Sequence, residues 1–80
     1  MRIDKYLKNS RLIKRRTVAK EACEQERIMI NDKTAKPGSE VREGDVISIR
    51  FGTSTIKVKV TKLLETVRKE DASDMYEIVE

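Results

Sequence analysis

The stretch Val46–Val60 constrains the fold of this chain more than any other. Ile47, Ile49 and Phe51 alternate with Val46, Ser48 and Arg50. After Gly52-Thr53-Ser54 the alternation resumes, with Ile56, Val58 and Val60 set against Lys57 and Lys59. Period-two patterning on both sides of a short glycine-containing loop predicts an antiparallel hairpin with one buried face.

Helical patterning lies upstream of it. Ile3, Tyr6 and Leu7 recur at helical spacing, which predicts a short helix over residues 3–9 with Asn9-Ser10 as its break. Leu12 and Ile13 return the chain to the core. A second helix is predicted over Arg16–Gln25, because Val18, Ala19, Ala22 and Cys23 fall within one arc of about 140° while Lys20 and Glu24 point away. Its small residues, Ala19 and Ala22, permit close approach to a neighbour. Ile28–Ile30 reads as a short strand turned by Asn31-Asp32 into Lys33–Lys36, and Pro37-Gly38 and Glu43-Gly44-Asp45 are further turn signals. Thr61–Asp74 is polar, weakly patterned and partly helical in character. Met75–Val79 fits either a last short strand or a helical turn. Two helices followed by a small, mostly antiparallel sheet make an α+β fold.

With 80 residues the chain is long enough for one domain. A domain of this size buries only about 60% of its unfolded surface. At 38% hydrophobic and 4% aromatic residues, its core must be mostly aliphatic. There is no histidine, and Cys23 is the only cysteine. That composition removes nearly every zinc or iron–sulfur ligand set and every Ser–His or Cys–His catalytic pair. No carboxylates are paired in an acid–base motif, so neither catalysis nor a cofactor is expected. A disulfide within the chain is impossible, in keeping with a reducing compartment. No apolar run is long enough for a membrane span or a signal peptide, and the expected location is the cytoplasm.

Charge is distributed unevenly. Residues 1–20 carry eight basic side chains against Asp4 alone, whereas residues 21–80 carry ten basic against thirteen acidic. The net +4 therefore conceals a strongly positive quarter of the chain. One positive face suits a polyanion, nucleic acid first and an anionic membrane surface second. Arg2, Lys5 and Lys8 recur every three residues and can form a ridge, and Lys14-Arg15-Arg16 stands where the second helix begins. Backbone N–H groups at a helix start favour phosphate, and arginine adds a planar fork of donors. If about five such residues each neutralise a phosphate on duplex-like RNA, log K falls with log salt at a slope near −4 to −5. A merely solvated helix face is the competing reading, which the local concentration of charge disfavours.

The same residues carry a resemblance. Arg2-Ile3-Asp4-Lys5-Tyr6-Leu7, Ser10-Arg11, Lys14-Arg15-Arg16-Thr17-x-Ala19, Arg27-Ile28-x-Ile30-Asn31, Lys36-Pro37 and Glu43-Gly44-Asp45-x-Ile47 together resemble the S4 RNA-binding domain family. The likeness runs over about residues 1–60. It implies the S4-like (αL) arrangement of two N-terminal helices on the sheet, with a domain over 1–62 and a short extension over 63–80 packed on or trailing it. The chain's size, its stretch Ser10–Thr17 and its Met75-Tyr76 ending are most similar to the stand-alone branch of that family acting in bacterial ribosome quality control. That likeness implies binding to stalled large ribosomal subunits through ribosomal RNA and peptidyl-tRNA. It also implies support for RqcH, an elongation factor that adds a C-terminal alanine tail to the nascent chain. A heat-shock branch, which binds free large subunits carrying nascent chains, is the alternative. A monomer without membrane attachment is expected.

Carried over residue by residue, Arg2 and Arg16 match the family's RNA-contacting arginines and Asp4 its acidic companion. A carboxylate facing phosphate would repel it, so Asp4 is expected to orient a guanidinium. Lys5, Arg11, Lys14, Arg15, Lys20 and Lys36 are supporting RNA-binding residues on charge and position alone. Two turns depart from the family pattern, Glu26 after helix two and Asp32 in the Asn31-Asp32 hairpin, where glycine is usual. Each change costs up to about 1 kcal/mol if φ is positive there.

Other residues favour plainer roles. Cys23 reads as a small buried hydrophobe, Tyr6 and Tyr76 as packing residues rather than a base-stacking platform, and Arg50, Lys57 and Lys59 as solvated outward positions. A membrane-surface role needs a broader apolar helix face than Ile3, Tyr6 and Leu7 provide. A protein adaptor using Glu21 and Glu24 is the third possibility.

Overall fold

A computed structural model describes residues 1–79. The chain runs through α1 (Ile3–Asn9), α2 (Arg16–Glu24), β1 (Ile28–Ile30), β2 (Lys33–Thr34), β3 (Val46–Phe51), β4 (Ser54–Val60), a 3-10 helix (Lys69–Met75) and β5 (Tyr76–Val79). The strands form one sheet in the order β2-β1-β3-β4-β5, with every neighbouring pair antiparallel. This is the α+β arrangement that the patterning predicts.

α1 begins without a side-chain cap. Its first donors are satisfied from outside the helix: the Ile3 N–H donates to the Ser39 carbonyl (2.8 Å) and the Asp4 N–H to the Pro37 carbonyl (3.4 Å). The 36–40 loop thus does the work of the missing cap. Ile3, Tyr6 and Leu7 are buried on the inner face. The Tyr6 hydroxyl, itself inside the core, donates to the Met75 carbonyl at 2.8 Å and ties α1 to the C-terminal segment. Burial pushes its phenol well above the ordinary value, with Tyr76 adding to the effect.

α2 buries Ala19, Ala22 and Cys23, whose small side chains let it pack close to α1. Val18, expected on the same face, is exposed instead. It lines an open hollow that it shares with Ile49, Arg50 and Phe51. Burial, with Asp4 and Glu24 contributing, pushes the Cys23 thiol up to about 11. The helix closes with two bonds, Glu26 N–H to the Cys23 carbonyl (3.0 Å) and Arg27 N–H to the Ala22 carbonyl (2.9 Å). Those are the paired bonds of a Schellman motif, which needs a left-handed residue after the cap. Glu26 occupies it at φ +59°.

The β3–β4 hairpin pairs Ile47 with Val58 and Ile49 with Ile56. Ile47, Ile49, Val58 and Val60 are buried, but Phe51 and Ile56 remain 42% and 39% exposed. Alternation places all six on one face, yet toward the hairpin's far end that face stays open, with Phe51 lining a hollow beside Val18 and Ala22. In the β1–β2 connection both Asn31 and Asp32 have positive φ, +50° and +67°, as a two-residue type I′ turn demands. The Asn31 side chain also accepts from the Val46 N–H (2.9 Å) and donates to Asp45 (3.1 Å), locking this turn to the 42–45 turn.

At the C-terminal end, strand rather than helix is what forms. β5 pairs with β4 from Lys57↔Val79 to Val60↔Tyr76. Met75, just before it, is fully buried in the same core as Ile28 and Ile47. The 3-10 helix delivers it there.

Candidate nucleic-acid interface

Arg2 precedes α1 in an extended conformation, its backbone paired antiparallel with that of Glu40 at the end of the loop that caps the helix. Arg16 is the first residue of α2. Fourteen positions separate them in the chain, but packing of α1 against α2 brings both to Asp4. Arg2 Nη2 donates to Asp4 Oδ2 at 3.2 Å, and Arg16 Nη2 lies 3.6 Å from Oδ1. Oδ1 also accepts from the Lys5 N–H at 2.8 Å. The Asp4 side chain is only 3% exposed, whereas those of Arg2 and Arg16 are 51% and 49% exposed.

The physical consequence follows from that contrast. A buried carboxylate meets each guanidinium through one nitrogen, and about half of each arginine side chain remains open to solvent. Its position in the first turn of α1 suits the positive end of the helix dipole. Two planar cations anchored this way lose little freedom on meeting an anion, so an approaching phosphate finds donors already in place.

The other basic positions divide between distinct surroundings. Lys36 is exposed on the loop whose Pro37 carbonyl meets the Asp4 N–H, which places it near the Asp4 cluster. Arg15 is the exposed residue capping α2, and Lys20 lies one turn along α2 from Arg16. Lys5 is engaged by Glu65 in an ion pair; its hydrogen bond, and then its charge, hold the Glu65 carboxyl below the ordinary value. Arg11 and Lys14 are not gathered at Asp4 but line a separate concavity with Lys8 and Lys69. Lys69 was not singled out by any pattern in the sequence. It arrives there because the C-terminal segment returns beside α1, where Asn9 Nδ2 donates to the Leu64 carbonyl at 3.0 Å.

Arg50, Lys57 and Lys59 are exposed on the hairpin, and Tyr6 is wholly buried and unable to stack on a base. No helix among the described residues is long and apolar enough to cross a membrane.

Two short helices presenting a buried acid and two arginines, backed by a five-stranded antiparallel sheet, define the class of protein. Residues 1–47 match the S4 domain, and the chain belongs to the S4 domain family. Within that class its similarity is specific. It is 59% identical over 78 residues to the RQC P-site tRNA stabilizing factor of Halalkalibacterium halodurans, covering 98% of this chain and 89% of that protein. With the factor of the same name from Bacillus subtilis it shares 52% identity over 79 residues, 99% of this chain and 92% of the relative. In structure it resembles Vibrio cholerae Heat Shock Protein 15, with a TM-score of 0.91 at 28% identity, over 99% of this chain and 81% of that one.

Proposed function

We propose that this chain is a non-catalytic RNA-binding protein of bacterial ribosome quality control. In this reading it binds stalled large ribosomal subunits through ribosomal RNA and peptidyl-tRNA, and supports RqcH-dependent alanine tailing of the nascent chain. Arg2 and Arg16 are the principal RNA contacts, and Asp4 orients them without touching RNA. Arg15, Lys20 and Lys36 add positive potential around them, and Lys5, Arg11 and Lys14 are supporting RNA-binding residues beyond the Asp4 cluster. The protein works as a cytoplasmic monomer.

One observation carries this reading: a single buried carboxylate holds two half-exposed arginines, one just before α1 and one opening α2. Such an arrangement is poor value as a stabilising ion pair, because half-exposed guanidiniums are screened by water. It is well suited to presenting donors to phosphate. The name shared by relatives of more than 50% identity supports P-site tRNA as one RNA partner.

Affinity purification of the tagged protein from cells tests the proposal. The expected retained material is large subunits without small ones, together with peptidyl-tRNA and RqcH. Recovery of free large subunits carrying nascent chains, with neither RqcH nor alanine tails, would favour a second reading. That reading, a heat-shock-type subunit-rescue role, is supported by the structural likeness to Heat Shock Protein 15.

A further inference from the structure

Four cations that take no part in the Asp4 cluster converge on the far end of α1. Lys8 from α1, Arg11 and Lys14 from the connection to α2, and Lys69 from the C-terminal segment line a concavity of about 580 Å³. Among the described residues none of the four forms an ion pair. The one carboxylate in the wall, Glu65, is already engaged by Lys5. Like charges gathered around a hollow repel one another, and an anion entering it would relieve that repulsion.

Backbone geometry sets where Arg11 enters the wall. Arg11 follows the cap of α1 at φ +61°, with its N–H bonded to the Lys8 carbonyl at 3.1 Å. Glycine is the residue this position ordinarily takes, and a side chain there costs up to about 1 kcal/mol. The residue present is instead a long cation that lines the hollow.

We propose that this cleft binds a second stretch of RNA phosphate backbone, separate from the one met by Arg2 and Arg16, with Lys8, Arg11, Lys14 and Lys69 as its contacts. The proposal rests on the reading of the chain as an RNA-binding protein. An RNA partner fits better than a lipid surface: Val67 is the only apolar side chain of the wall, and interfacial binding needs a broad apolar face. Lys14 stands two residues before Arg16, so the two surfaces can follow one RNA or join two. The C-terminal segment then has a binding role of its own, because it brings Lys69.

The test uses the full-length chain and large ribosomal subunits carrying peptidyl-tRNA, with affinity measured across a salt series. Lys8→Gln/Lys69→Gln is expected to make the slope of log K against log salt shallower by roughly 1.4–1.8, and to weaken binding roughly 10–30-fold at physiological salt. Thr66→Glu, which places a negative charge in the exposed wall, is expected to weaken binding with an unchanged melting temperature. Arg11→Gly is expected to weaken binding while leaving the melting temperature equal or higher, which a purely structural role for Arg11 could not produce. A photo-cross-linker at position 69 is expected to label RNA. An unaltered slope in the double variant, or labelling of protein or lipid alone, overturns the cleft. Arg16→Ala run alongside separates the two sites: if it weakens binding while the double variant does not, the cleft fails and the Asp4 site stands.

Discussion

Asp4 is the residue on which the arginine geometry depends. Replacing it with Asn keeps the shape but removes the charge from a group that serves both guanidiniums. Asp4→Asn is expected to cost about 1 kcal/mol of stability, since its partners can turn to water, and to weaken subunit binding several-fold; affinity unchanged by a measured loss of the pair would show that Asp4 plays no orienting part. Glu26 gives a contrary case. At φ +59° it occupies the glycine position of the Schellman motif, so Glu26→Gly is expected to raise stability by about 1 kcal/mol, or about 4–8 °C in Tm. Cys23 sets a pH dependence. Its thiol titrates at about 11 against an ordinary 9.0, so between those values the unfolded chain loses a proton that the folded chain keeps. Stability therefore falls as pH rises from 9 toward 11, by the linkage relation. Cys23→Ala is expected to flatten that part of the thermal-melting profile, and an equally steep profile in the variant would exclude the thiol as its source.

At the scale of elements, local pattern carried a long way. Helical spacing of Ile3, Tyr6 and Leu7 marks α1 at the bounds observed, and strict alternation marks β3 and β4. What it could not show is where cover stops. Phe51 and Ile56 obey the alternation yet lie exposed, because burial depends on how far the helices reach over the sheet. The C-terminal strand was undecided for a related reason: Tyr76–Val79 becomes a strand by pairing with β4, a contact that local spacing does not encode. The candidate site divides the same way. Arg2, Asp4 and Arg16 were legible through family motifs, but that one carboxylate reaches both arginines follows only from the packing of α1 on α2. Lys69 joins Lys8 only through the return of a segment about sixty residues downstream. Packing of that segment has its own test. Met75 is fully buried and Ile78 largely exposed, so Met75→Ala is expected to cost about 2–5 kcal/mol in denaturant unfolding and Ile78→Ala far less. Equal effects would mean that the segment is not part of the core.

At the scale of the whole molecule, the sheet is a rigid backing that fixes two helices and a returning tail so that their cations face outward together. Residues 21–80 are net acidic, which holds the charge of the whole chain to +4 despite that face. Binding of RNA by such a face is expected to be dominated by counterion release. The most direct measurement of the central claim is co-sedimentation of Arg16→Ala with large ribosomal subunits, alongside Lys57→Ala as a control on the exposed hairpin. Arg16→Ala is expected to leave the melting temperature nearly unchanged and to abolish co-sedimentation, while Lys57→Ala retains it. Undiminished co-sedimentation of a folded Arg16→Ala protein would contradict the assignment of the Asp4-held arginines as the RNA contact.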